Sequence, residues 1–234
     1  MKKHTLLLKQ LIVCLFFTLF LTLVQGCKQT DEDIANATIK ESMKSYLFDI
    51  KSYKPISTVL DTCYSRISFR QDVLDAARNV QKCQEQAEEA WRKYSNALSS
   101  KSIYSTLYSS FERVNYEKYD KELKKYAREY IKYYERYLEN WQYIVEAAEN
   151  NDRSKVIGWL ATHNFKAKSK GGAPVSSQAL FILSPDLSQV LAFFPEEFRS
   201  EVDNLSVVIT ELIEDKDLLP EYRNNLEQFK TSKK

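Results

Sequence analysis

Two long stretches of the chain carry apolar or aromatic residues at the heptad spacing of an amphipathic helix. The steps alternate between four and three, and the positions are Val73, Ala77, Val80, Gln84, Ala87, Trp91, Tyr94 and Leu98 in the first stretch, and Tyr119, Leu123, Tyr126, Tyr130, Tyr133, Tyr137, Trp141, Ile144 and Ala148 in the second. Two stripes of similar length predict an antiparallel helical hairpin over about residues 70–150, joined by the Ser-rich segment 99–110 with a short helical turn of its own. The stripes are aromatic rather than rich in Leu and Ile, which disfavours the alternative of a parallel coiled-coil dimer.

After residue 152 the spacing of apolar residues changes to two, which is typical of β-strands. The segment VIGWLATHNFKAK places six residues on one face of a strand: Ile157, Trp159, Ala161, His163, Phe165 and Ala167. Two turn-like segments, SKGGAP and PDLS, separate the further apolar runs VSSQALFILS and QVLAFF. The pattern predicts a three-stranded antiparallel meander over about residues 155–194.

The remaining segments predict the elements that complete the fold. Apolar spacing favours a first amphipathic helix over about residues 32–49, and the β-branched run 56–65 indicates a strand that joins the sheet of the meander, with the hairpin inserted between. A closing helix follows Pro195, and Pro220 begins a last short helix. We therefore expect a single α+β domain over residues 33–234.

The first 26 residues have the pattern of a secretory signal peptide. Lys2, Lys3 and Lys9 form a basic start, and the apolar stretch from Leu11 to Val24 is followed by the small residue Gly26. An apolar helix of this length rises only about 21 Å, against a hydrocarbon core of roughly 30 Å, so it is too short to span a membrane.

The four residues VQGC at the end of this stretch resemble the lipobox of bacterial lipoproteins, in which the Cys becomes the lipidated first residue of the mature chain. The resemblance implies a membrane anchor on Cys27, carrying palmitate-type acyl chains, and a short tether over residues 27–32. The acidic residues 31–33 resemble the tract that directs lipoproteins of Bacteroidota to the outer face of the outer membrane. The same acids also suit the N-terminus of a helix capped by Thr30 or Asp31.

Two further segments, SYKPISTVLDTCYS and IGWLATHNFKAKSKGGAP, are similar to small uncharacterised lipoproteins of Bacteroidota. Those proteins share a Ser-Tyr-x-Pro start of a strand and a later Gly-Trp…His-x-Phe strand. This resemblance implies no activity. The acidic residues 31–33 slightly favour display at the cell surface over the periplasmic face.

Charge and composition exclude several classes of protein. Without residues 1–26 the chain holds 31 basic and 32 acidic side chains, interspersed along the sequence, so no nucleic-acid partner is expected. With four Gly in the whole chain, at 26, 158, 171 and 172, neither a P-loop nor a dinucleotide-binding motif can be built. His163 is the one His after residue 26, which excludes multi-histidine metal sites, and we expect no cofactor or metal.

Three groups of residues are candidates for chemistry or binding. Five tyrosines fall off the second heptad stripe and could form an aromatic platform for a glycan or protein: Tyr104, Tyr108, Tyr116, Tyr134 and Tyr143. His163 lies on the apolar side of its strand, where a neutral, hydrogen-bonded imidazole is more common than a catalytic base. Cys63 and Cys83 could form a disulfide in an exported protein, although free thiols are slightly favoured.

These observations favour an outer-membrane-anchored lipoprotein with a binding or structural role in the cell envelope rather than an enzyme. A hydrolase is an alternative, but the paired carboxylates of the sequence lie on polar helical faces rather than in a predicted cleft. A second alternative is an immunity-type protein that blocks a toxin.

Overall fold

The computed structural model describes residues 29–105 and 110–232, and these form an α+β fold. Residues 1–26, for which the sequence predicts a signal peptide, and Cys27 lie outside the described residues. Helix α1 (Asp31–Met43) begins at Thr30, whose side chain accepts a hydrogen bond from the backbone N–H of Asp33 at 3.1 Å. The Asp33 carboxylate in turn accepts a bond from the backbone N–H of Thr30 at 3.0 Å, which completes a capping box. The acidic residues 31–33 therefore form the first turn of a helix.

Four antiparallel strands form one sheet in the order in which they occur along the chain. They are β1 (Lys54–Tyr64), β2 (Val156–Lys168), β3 (Pro174–Leu183) and β4 (Val190–Pro195). Strand β1 pairs with β2, with Leu60 opposite Ala161. This confirms that the first strand joins the meander and that the hairpin is inserted between β1 and β2.

The helical hairpin consists of α2 (Gln71–Tyr104) and α3 (Ser110–Glu149). Both helices extend into the Ser-rich segment 99–110. The sequence pattern had predicted a connection there, with a short helical turn of its own. Serine costs a helix little, and the side chain of Ser99 bonds the carbonyl of Ser95 at 3.0 Å without interrupting α2.

Two further helices follow the sheet, as the sequence predicts. Helix α4 (Glu196–Glu214) begins directly after Pro195, and α5 (Leu219–Thr231) has Pro220 in its first turn. Trp141 of α3 donates a buried hydrogen bond from Nε1 to the carbonyl oxygen of Leu212 at 2.6 Å, which ties the hairpin to the end of α4.

The sheet separates two hydrophobic clusters. On one face Cys63, Ile182 and Phe194 pack with the sheet-proximal parts of the hairpin and with α4. On the other face Ala161, Phe165 and Phe181 pack beneath α1. The fold therefore has three layers: α1, the sheet, and the hairpin with α4 and α5.

The first helix is shorter than the apolar spacing predicts. It ends at Met43, and a separate 3₁₀ turn follows at Ile50–Ser52. Tyr46 lies beyond the end of the helix. Its ring packs edge-on against Phe193 with ring centroids 4.9 Å apart, and its hydroxyl donates a hydrogen bond to Oε1 of Glu197 at 2.8 Å. Contacts with distant strands thus compete with continuation of the helix.

The buried line of α2 follows the predicted stripe at five of its eight positions and departs from it at three. Val73, Ala77, Val80, Ala87 and Tyr94 are buried, whereas Gln84, Trp91 and Leu98 are exposed, with Trp91 and Leu98 at 45% and 48% exposure. Small residues one position earlier are buried in their place, namely Cys83, Ala90 and Ala97, at 7%, 3% and 4% exposure. Small side chains allow α3, which carries the large aromatic residues, to approach closely.

The aromatic stripe of α3 is also only partly buried. Tyr119, Tyr126, Tyr130, Tyr133 and Tyr137 are all half-buried rather than buried, and the buried positions of this helix are Leu123, Ala127, Leu138, Trp141, Ile144, Val145 and Ala147. A straight helix repeats every 3.6 residues, so a line drawn at 3.5 drifts off the contact face over a helix this long.

Candidate functional site

A buried hydrogen-bond chain surrounds His163 between α1 and the sheet. The ring is fully buried, with Nε2 2.7 Å from the Tyr53 hydroxyl and Nδ1 2.8 Å from the Thr58 hydroxyl. The Thr58 hydroxyl donates its one hydrogen to Oδ1 of Asn36 on α1 at 2.6 Å. It must therefore accept from Nδ1–H of His163, which leaves Nε2 to accept from Tyr53.

Burial sets the protonation states along this chain. It lowers the pKa of His163 from 6.5 to about 4 and raises that of Tyr53 to about 12. Both groups are neutral near pH 7, and each bond has a defined direction from Tyr53 to His163 to Thr58 to Asn36. The prediction that His163 is a buried, hydrogen-bonded imidazole is confirmed, and the arrangement holds α1 onto the sheet.

The structure does not bring the candidate tyrosines together. Tyr143 lies at the sheet end of α3, where its hydroxyl donates to Asp72, whereas Tyr116 lies 27 residues earlier, about 40 Å along the helix. Tyr104 stacks on Tyr119 with ring centroids 5.7 Å apart. Tyr108 lies outside the described residues.

Tyr134 instead belongs to an aromatic cavity that sequence spacing did not indicate. The cavity has a volume of about 310 Å³ and lies between the hairpin and α5. Its lining residues are Gln84, Ala87, Glu88, Trp91, Tyr130, Tyr134, Tyr137 and Tyr222. Tyr134 stacks on Tyr130 and Tyr137 at centroid distances of 5.3 and 5.7 Å, and Trp91 remains 45% exposed.

A larger groove lies farther along the hairpin, beyond the end of α5. Helix α5 packs Phe229 against Trp91, Tyr94 and Tyr130, with centroid distances of 5.8, 5.7 and 5.2 Å. Past this contact α2, α3 and the C-terminal end of α5 line an open groove of about 850 Å³, which we call the distal groove. Its apolar floor consists of Leu98, Leu123, Ala127 and Ile131, with Tyr94 and Tyr116 at its sides.

Charged side chains stand along the rim of the distal groove. The ammonium of Lys101 on α2 pairs with Asp120 on α3 and lies 4.7 Å from the ring centre of Tyr116. Lys124 pairs with Asp120 at 2.8 Å. The bonds from Lys101 and then Lys124 lower the pKa of Asp120 to about 2, so this carboxylate stays ionised.

Arg128 stands apart from this ion-pair network. Its Nε donates to the carbonyl oxygen of Lys124 at 3.0 Å, and its guanidinium makes no ion pair with a residue in the described ranges. Sequence spacing does not predict this groove, because the groove depends on where α5 ends and on which face of α2 turns toward α3.

Within residues 29–105 and 110–232, no group of three or more His, Cys, Asp and Glu side chains is arranged to hold a metal ion. Over the same residues, no helix is both long and apolar enough to cross a membrane. Comparisons of the chain with protein-family models, with curated proteins and with solved structures find no match. The hairpin and its two cavities are therefore the features of the structure that bear on function.

Proposed function

We propose that this protein is a lipoprotein of the bacterial outer membrane, anchored through Cys27, which binds a ligand on the face of the hairpin that carries α5. The observation that carries the binding role is the distal groove, about 850 Å³ in volume with an apolar floor and a charged rim. Sites for small ligands combine those features: a concave apolar lining and a few polar groups that orient the ligand.

The fold supports a role in presenting this face away from the sheet. Among the described residues, those that line the groove belong to or adjoin the helices α2, α3 and α5. A ligand can therefore bind the distal hairpin without disturbing the sheet or α1.

Anchoring is tested by metabolic labelling with an alkyne analogue of palmitate. The wild-type protein is expected to incorporate the label, and Cys27→Ala is expected to lose it and to accumulate as the unprocessed precursor. Persistent labelling of Cys27→Ala would contradict the anchor. Protease treatment of intact cells then separates display at the surface, where the protein is cleaved, from the periplasmic face, where it is protected.

Ligand binding is tested by placing the photo-crosslinking residue p-benzoylphenylalanine at Leu98, which is 48% exposed in the groove. The matched control places the same residue at Val207, which is 57% exposed on α4. Irradiation of living cells is expected to give a covalent adduct at position 98 and none at 207. Absence of an adduct at 98, or equal adducts at both positions, would contradict a binding role of the groove.

A glycan ligand is a second candidate, supported by the aromatic cavity around Tyr134. Trp91 offers a half-exposed ring there, and Gln84 and Glu88 supply hydrogen-bonding groups beside it. Affinity electrophoresis through gels that contain soluble polysaccharides tests this candidate. Retardation that disappears in Trp91→Ala, and persists in the exposed-site control Leu191→Ala, is the expected result.

A further inference from the structure

The distal hairpin carries an excess of positive charge that the charge balance of the whole chain conceals. Residues 90–132 contain ten Lys and Arg against five Asp and Glu, whereas the rest of residues 27–234 contains 21 against 27. Over the whole chain the charges nearly balance, because the excess of basic residues in the distal hairpin is offset by an excess of acidic residues elsewhere. The fold gathers the basic part around one end of the hairpin, where the potential favours an anion.

The residues that line the distal groove show the same excess. Four cationic side chains contribute to it, Lys101, Lys124, Arg128 and Lys230, against the single acid Asp120. Asp120 is already shared by Lys101 and Lys124, and Lys230 pairs with Glu135 and Glu227 at 2.7 and 2.5 Å. Arg128 is the cation on this rim whose terminal guanidinium nitrogens are free to donate two hydrogen bonds to an anion.

The floor beneath these cations is apolar and continuous. On α3 its positions run from Leu123 through Ala127 to Ile131, spaced by four residues and about 6 Å apart along the axis. Leu98 of α2 is 48% exposed and Ile131 is half-buried, whereas Leu123 and Ala127 are buried. An extended hydrocarbon chain laid along this floor covers apolar surface of Leu98 and Ile131 that is now in contact with water.

We infer that the distal groove binds an anionic amphiphile, whose single alkyl chain lies along Leu98, Leu123, Ala127 and Ile131 and whose head group pairs with Arg128. The inference names the ligand class of the groove and so rests on the proposed binding function. The groove volume lies within the range of small-ligand sites. Its open rim suits a head group that stays in water while the chain is covered.

The head group can be a carboxylate, as in a fatty acid, or a phosphate, as in a lysophospholipid, because the guanidinium of Arg128 pairs with both. Isothermal titration calorimetry distinguishes the two sources. Chain 28–234, which contains every described element, is titrated with laurate and with dodecyl phosphate below their micellar concentrations. Dodecyltrimethylammonium, with an equal chain and the opposite charge, is the ligand control.

Wild-type protein is expected to bind at least one of the two anions about tenfold more tightly than the cation. Arg128→Gln is expected to weaken binding of that anion about tenfold, because a charge-assisted hydrogen bond is lost. Leu98→Glu, at an exposed position, is expected to weaken it by at least as much, since it places a carboxylate beside the chain. The matched control is Arg136→Gln, an exposed arginine two turns farther along α3 and outside the groove, which is expected to bind as wild type.

Three results would each overturn the inference. They are failure of both anions to bind the wild-type chain, equal binding of anion and cation, and equal affinity of Arg128→Gln and wild type for the anion. Urea unfolding of each variant, with a midpoint equal to that of wild type, ensures that a lost affinity reports the groove. If these titrations fail while the adduct at position 98 still forms in cells, the binding function stands and the ligand belongs to another class. If the adduct is also missing, the binding function itself fails.

Discussion

The hydroxyl of Tyr53 lies 2.7 Å from Nε2 of His163, and this bond links the segment before β1 to the middle of β2 beneath α1. Neither partner is charged near pH 7, because burial lowers the pKa of His163 to about 4 and raises that of Tyr53 to about 12. The two neutral side chains thus hydrogen-bond each other within an apolar layer. This layer also contains Phe165 and Phe181, whose ring centroids lie 5.6 and 6.0 Å from that of His163.

Acid is expected to destabilise the protein through His163. Its pKa is lower in the folded chain, about 4, than the ordinary value of 6.5, so between these values the unfolded chain binds a proton that the folded chain does not. The stability that His163 contributes is complete above about pH 6.5 and is lost as the pH falls toward 4, by about 3 kcal/mol. Urea unfolding of chain 28–234 at a series of pH values measures this slope.

The matched variant is His163→Asn, which removes the titrating group. It is expected to be less stable at pH 7 by about 2–4 kcal/mol, since the hydroxyls of Tyr53 and Thr58 lose a buried partner. Its unfolding free energy should depend less on pH between 4 and 6.5 than that of wild type. Unchanged thermal stability of His163→Asn would contradict a structural role, and loss of a defined activity together with unchanged stability would indicate a catalytic one.

A methyl group at Gly158 is expected to disrupt the sheet. This residue has φ +150°, and an added Cβ would lie 1.9 Å from the carbonyl oxygen of Leu183, a backbone atom that cannot move aside cheaply. Gly158→Ala should therefore cost about 3 kcal/mol or more in unfolding free energy, or prevent folding. Circular dichroism during thermal unfolding measures the loss.

Gly171→Ala is the control for that substitution. The nearest atom to an added Cβ there is Oγ of Ser169 at 3.8 Å, in an exposed turn, so its stability should change by no more than about 0.5 kcal/mol. Equal stability of the two variants would show that β2 and β3 do not approach as closely at Gly158 as the structure indicates.

Small residues on α2 are expected to tolerate no added volume. Ala90 is 3% exposed, so Ala90→Leu should destabilise the chain by about 1–3 kcal/mol through overpacking. The control is Gln84→Leu, at a position that the heptad pattern assigns to the core but that is exposed in the structure. It should change stability by about 0.5 kcal/mol or less. Stabilisation by Gln84→Leu, with Ala90→Leu tolerated, would instead favour the phase predicted from the sequence.

That difference in phase shows what the sequence could and could not predict of the fold. Type and order of the elements follow from periodicity, so the hairpin, the meander and the pairing of β1 with β2 were predicted correctly. The face of α2 was predicted only in part, since five of the eight stripe positions are buried but Trp91 is exposed and Ala90 is buried in its place. A pattern of apolar residues favours Trp91 over Ala90 for the core, whereas a close helix pair favours the smaller side chain. The end of α1 at Met43 likewise depends on contacts of Tyr46 with residues about 150 positions away.

Fewer features of the candidate site than of the fold follow from the sequence. A buried role for His163 follows from strand alternation, and the structure adds its partners Tyr53, Thr58 and Asn36. The distal groove could not be predicted, because its residues come from three helices and its cations are separated by up to about 130 positions in the chain, from Lys101 to Lys230. Only the antiparallel pairing of α2 with α3 brings Lys101 beside Asp120.

Cys63 and Cys83 are expected to be free thiols in the mature protein. Both are buried and unbridged in the structure, and they belong to different packing environments: Cys63 lies in the cluster between the sheet and the helices, whereas Cys83 lies near Arg136 and Glu139 at the interface of the hairpin. Burial raises the pKa of both thiols, which keeps them protonated and slow to oxidise.

Alkylation of the native protein with iodoacetamide near neutral pH should therefore be slow, and alkylation after unfolding in urea without reductant should modify both residues. Mass spectrometry reads the result, with a sample reduced before alkylation as the control, and the two samples should have equal masses. A protein that resists alkylation when unfolded, and gains two labels only after reduction, would contain the disulfide and would require α2 to cross the β1 face within about 6 Å of Cys63.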